Sequence, residues 1–111
     1  MKMEFFIRAV AILATAAAGH AFGSERIDVC VRDSSGKAYK VHATQISGQE
    51  LIQKTSDLTY ASYAQYIAIF WDQQHVTLIN IGALSPSAIP INGVDRQGRN
   101  WQVSLDSVYC Q

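Results

Sequence analysis

Ile27, Val29 and Val31 are apolar, while Asp28, Cys30 and Arg32 between them are not. A two-residue repeat turns one set of side chains inward and the other to water, so it predicts a half-buried strand. Asp33-Ser34-Ser35-Gly36 has the composition of a turn. Beyond it, Tyr39, Val41 and Ala43 alternate with Lys40, His42 and Thr44. Together the two runs predict a hairpin. Residues 66–71 (Tyr-Ile-Ala-Ile-Phe-Trp) and 75–81 are apolar on both faces and are joined by a short polar turn at 72–74. A hairpin of this kind needs cover on both sides, as in a closed barrel or under a helix. After a turn at 95–98, Trp101, Val103 and Leu105 alternate with Gln102, Ser104 and Asp106. This predicts a last strand with one wet face, open to pairing with another chain.

One segment carries a helix signal. Ser47 and Glu50 stand at the spacing of a capping box, which predicts a helix over 48–54 with Leu51 and Ile52 facing inward. Two turns hold only when packed against something larger. Residues 55–63 show no clear period. Residues 82–93, with Pro86 and Pro90, form a long connection of the kind that often carries binding function. The expected fold is mainly β: a small antiparallel barrel or curved sheet of five to six strands with one short helix, closed because closure removes exposed edges. Val29, Val31, Val41, Ile67, Ile69, Phe70, Leu78, Ile79, Trp101 and Val103 form the expected core.

The start of the chain changes the setting. Lys2 and Arg8 flank Glu4, an apolar stretch covers 9–18, and Gly19 and Ala21 are small residues at the spacing of a cleavage site. This pattern predicts a secretory signal over residues 1–21, cut after Ala21 or after Gly23, and a single small β domain over 24–111. The apolar stretch falls short of the roughly 20 residues that span a bilayer. The expected location is therefore periplasmic or extracellular, with no membrane span after cleavage. In such a compartment the two cysteines, Cys30 and Cys110, read as a disulfide joining the ends of the domain. Cys30 falls on the polar side of its strand, so the bridge is expected at the rim. Without residues 1–21 the chain keeps seven bases and eight acids, a balance that argues against nucleic acid as a partner.

Candidate chemistry is sparse. His75 or His42, oriented by Asp72, supplies the acid–base pair of a small secreted hydrolase, the alternative reading. No Gly-x-Ser-x-Gly motif accompanies them. No His-Glu-x-x-His spacing or acidic loop points to a metal, and no cofactor motif is present. Tyr60, Tyr63 and Tyr66 recur every third residue around Ser62, and tyrosine is enriched at interfaces. The expected function is a non-catalytic binding module of the bacterial envelope that recognises another protein, of the inhibitor, immunity or accessory type. Tyr60, Ser62, Tyr63, Tyr66, Pro86 and Pro90 are its expected contact residues.

Ser62-Tyr63-Ala64-Gln65-Tyr66 followed by Phe70-Trp71 resembles the Ser-Gly-x-x-Tyr loop and Phe-Trp strand of bacterial inhibitors of C-type lysozyme, with Tyr63 at the glycine position. The resemblance covers about 20 residues. It implies a small exported β-barrel in which Ser62 and Tyr66 enter the lysozyme cleft.

Overall fold

A computed structural model describes residues 24–105 and Cys110. The expected signal segment and Asp106 lie outside the described residues. Six strands form a closed barrel: β1 (Glu25–Asp33), β2 (Ala38–Ser47), β3 (Gln65–Phe70), β4 (Val76–Asn80), β5 (Ile91–Asp95) and β6 (Asn100–Ser104). One helix, α1 (Gly48–Thr55), follows β2. Every neighbouring pair is antiparallel, and β6 closes on β1 through Val31 opposite Val103 and Asp33 opposite Trp101. β6 also pairs with β5, so the last strand has no open edge for another chain.

The run of apolar residues on both faces of β3 and β4 is explained by two separate cores. Inside the barrel, Val29, Val31, Ala43, Ile67, Ile69, Ile79, Ile81, Trp101 and Val103 pack together, with Tyr39 and Val41 beside them. Outside, Ile46, Tyr66, Ala68 and Leu78 meet Leu51 of α1 and Tyr60 and Ala64 of the following loop, with Phe70 and Val76 at the edge. Leu78, expected in the core, is buried in this outer one, and Phe70 is half-buried against it. Ile67 and Ile79 are wholly enclosed, and each contributes roughly 1.5–3 kcal/mol relative to an exposed side chain.

The helix depends on that outer core. Ser47 Oγ accepts the Glu50 N–H at 3.1 Å, which is half of the capping box. Glu50 does not return the bond; its carboxylate is buried and accepts nothing. Gly48 sits so close to the covering loop that a Cβ there would lie 1.7 Å from the Ala61 carbonyl oxygen. Glycine is needed here for close approach.

β5 corrects the expected 82–93 loop, which ends at Pro90. Its inward positions are Ile91, Gly93 and Asp95, so apolar alternation is missing from the sequence. Gly93 is required because a Cβ would fall 2.5 Å from Ile79 Cγ2. The Cys30–Cys110 disulfide spans 80 residues with Cα atoms 5.5 Å apart. Cys30 points away from the interior, next to Pro90, Gln102 and Ser104, so the bridge fastens the barrel wall from outside. No helix among the described residues is long and apolar enough to cross a membrane.

Candidate functional site

The three hairpin turns, 33–37, 71–75 and 95–99, all lie at one end of the barrel. Two of them share one design. In Asp33-Ser34-Ser35-Gly36-Lys37, Asp33 Oδ1 accepts the Ser35 and Lys37 N–H groups, both at 3.0 Å. In Asp95-Arg96-Gln97-Gly98-Arg99, Asp95 Oδ1 accepts the Gln97 and Arg99 N–H groups, both at 2.9 Å. Gly36 and Gly98 take left-handed backbone angles, φ +92° and +83°, the glycine step of a three-residue hairpin loop. Asp72 performs a smaller version, accepting the Gln74 N–H at 2.7 Å.

At this end the inward rows of the strands finish in an aromatic layer. Tyr39 meets the Trp71 ring edge-on, 5.2 Å between centroids. Trp101 lies nearly parallel to Trp71 at 6.4 Å and 6.3 Å from Tyr39. Both indole N–H groups are occupied. Trp71 Nε1 donates to Thr77 Oγ1 at 2.8 Å, and Trp101 Nε1 donates to Asp95 Oδ2 at 3.0 Å. Trp101 is buried, whereas Trp71 keeps 39% of its surface exposed. Above this layer opens a groove of about 730 Å³, bounded by Ser34, Asp72, Gln74, His75, Gln97, Arg99 and Asn100.

Charges in the groove are largely internally balanced. The Ser35 hydroxyl is the main influence holding the Asp33 carboxyl below its ordinary range, joined by the turn amides. The Gln74 amide does the same for Asp72, with His75. Burial pushes Asp95 up, but hydrogen bonds from Trp101, Arg99 and Gln97 outweigh it and leave it below the ordinary range. Arg99 Nε donates to Asp95 Oδ2 at 2.8 Å, and His75 Nδ1 lies 2.8 Å from both Asp72 oxygens. All three carboxylates are therefore ionised at neutral pH, and two of them face a resident cation or imidazole.

The residues singled out in the sequence are scattered. His75 and Asp72 do pair, on the groove wall. His42 does not join them: it pairs with Asp28 on the outer face of β1 and β2. No hydroxyl is hydrogen-bonded to either histidine among the described residues. The three tyrosines also separate. Tyr66 is 3% exposed and its hydroxyl accepts the Ala61 N–H at 2.9 Å. Tyr60 is buried edge-on against Tyr66 with Arg96 over its ring at 4.2 Å. Both rings are buried, so neither offers much surface to a partner in this conformation. Ser62 and Tyr63 are exposed, Tyr63 by 76%. Pro86 and Pro90 are half-buried at the opposite end from the hairpin turns.

Sequence reasoning passed over Tyr39, Trp71, Trp101 and Asp95 as a site. Two signals were present: Asp-x-x-Gly-(Lys/Arg) occurs twice, at 33–37 and 95–99, and each hairpin places an aromatic residue near its turn. Among the described residues no cluster of three or more His, Cys, Asp or Glu side chains is placed to hold a metal ion. No family model, no curated protein and no solved structure matches this chain.

Proposed function

We propose that this protein is a non-catalytic binding module that works outside the cytoplasm, in the periplasm or beyond the cell, and holds its ligand in the groove at the turn end. The observation carrying this reading is Trp71: a large aromatic side chain, partly exposed, with its polar atom already bonded and its ring fixed by Tyr39 and Trp101. An aromatic surface ordered before binding loses little entropy when a ligand arrives, and Trp, Tyr and Arg dominate recognition energetics. The disulfide is consistent with a non-cytoplasmic setting, and the leader pattern of residues 1–21 supports export.

The test is capture. Exported protein, immobilised and exposed to envelope extract, retains a specific component, and Trp71→Ala abolishes that retention while leaving the fold intact. Retention unaffected by Trp71→Ala, or no retained component, sinks the reading.

A second reading, recognition of another protein at the opposite end of the barrel, is favoured by a specific observation. Tyr63, Leu84, Ile89 and Leu105 are all exposed, by 76, 58, 72 and 47%, and they flank strand ends that share this side. Apolar exposure of this kind marks contact surfaces. Tyr63→Ala with Ile89→Asp then removes the captured partner, whereas Trp71→Ala does not.

A further inference from the structure

The chemistry of the groove narrows what it takes. Its floor is the exposed Trp71 ring, which offers carbon surface alone because Thr77 already accepts the indole N–H. The rim is rich in planar amides. Gln74, Gln97 and Asn100 line the groove, and their side-chain amides bond to nothing among the described residues. Each amide carries both a donor and an acceptor. Such a rim suits a ligand that also carries both, closely spaced. Asp72 and His75 form a further polar pair on the same wall.

Other ligand classes fit less well. A cation would meet the Arg99 guanidinium at the rim. A phosphate or carboxylate would face the ionised Asp33 and Asp72. An acyl chain would strand the amides without partners, each costing free energy on burial. The groove volume falls within the range of small-molecule sites, and the groove opens to solvent.

On the reading of this end as the binding site, we infer that the groove is a saccharide site: it takes the pyranose rings of a neutral glycan, one ring lying with its C–H face on Trp71 and its hydroxyls bonded by Gln74, Gln97 and Asn100. A pyranose has the required surfaces. Its axial C–H groups form an apolar face that covers an indole, and its equatorial hydroxyls, each donor and acceptor, radiate in the ring plane toward the rim.

The test uses full-length exported protein, titrated at millimolar concentration with neutral tetrasaccharides of glucose, N-acetylglucosamine, mannose and galactose, by calorimetry and by ¹⁵N-resolved NMR. The expected result is saturable binding of at least one tetramer, with shifts concentrated in the Trp71 and Trp101 indole signals and in residues 97–101. Trp71→Ala weakens that binding by about tenfold or more, and Asn100→Ala, an exposed change that leaves the barrel intact, weakens it severalfold. The inference is overturned if no tetramer binds, if the shifts map to the opposite end, or if Trp71→Ala and Asn100→Ala bind as the wild type does. Trp71-dependent capture of a protein from envelope extract, without saccharide binding, also overturns it while leaving the binding module standing. Loss of both readouts removes the two together.

Discussion

Asp95→Ala is expected to cost the protein about 3 kcal/mol. The Asp95 residue is 5% exposed, and its two oxygens accept four N–H groups: Gln97 and Arg99 backbone on Oδ1, Arg99 Nε and Trp101 Nε1 on Oδ2. The Gln97 and Arg99 groups lie on an exposed turn and rehydrate when the carboxylate goes, so each loss there is small. The Trp101 indole cannot. It is buried, and an unsatisfied buried donor costs about 1–3 kcal/mol. Loss of the turn bonds adds roughly 1–2 kcal/mol, partly offset because a buried carboxylate no longer has to be desolvated. For a domain of this length the net change lowers Tm by about 10–20 °C. Urea unfolding of both proteins measures it directly.

The pH dependence is a sharper check on the same carboxylate. Its folded pKa lies below the ordinary 3.8, so the stabilisation is fully present above that value and is lost as pH falls through the folded pKa. The gap between wild type and Asp95→Ala is therefore constant at neutral pH and narrows only in strong acid, by the part that depends on ionisation. A gap under about 0.5 kcal/mol, the level of an ordinary surface change, would refute the reasoning. So would a gap that keeps its neutral-pH size down to the lowest pH at which the wild type folds.

Removing the disulfide with Cys30→Ala and Cys110→Ala should lower stability by about 4 kcal/mol, because the bridge closes an 80-residue separation; a loss below about 1 kcal/mol by urea titration would contradict the entropic account. Gly48→Ala drives a Cβ into the Ala61 carbonyl and should cost about 3 kcal/mol, whereas Gly36→Ala, with nothing within 4 Å but φ at +92°, should cost about 1 kcal/mol; equal losses in thermal unfolding would show that α1 is not pressed against its covering loop. Burial pushes the Glu50 carboxyl above its ordinary 4.5, against the opposing charge of Lys54. Stability therefore falls as pH rises through the window above 4.5, so Glu50→Gln should stabilise by about 1 kcal/mol at neutral pH and the advantage should fade toward pH 4.5; a gain independent of pH would place the carboxylate in water.

The barrel was legible where burial writes a period. β1, β2 and β6 each turn one apolar row into the barrel, and the alternation of Val29 and Val31, of Val41 and Ala43, and of Trp101 and Val103 announces it. β3 and β4 announce only that both faces are covered, and the sequence does not say which face meets α1. Phe70 and Leu78 read as core, but nothing in their pattern says that they pack outside the barrel. β5 was hidden because Gly93 and Asp95, one chosen for lack of volume and the other for its oxygens, occupy inward positions. The site was hardly legible. Tyr60, Tyr63 and Tyr66 share a spacing of three but not a surface, since a strand begins between Tyr63 and Tyr66 and buries the latter. Trp71 and Trp101, 30 residues apart, meet only because the hairpin turns gather at one end.

Hydrogen–deuterium exchange of the protein, with and without an envelope extract, tests the central proposal that recognition occurs at the mouth of the barrel. Protection confined to residues 33–39, 71–77 and 95–101 is the predicted result. Protection at 62–64 and 82–90 with the hairpin turns unchanged would contradict it and move recognition to the opposite end.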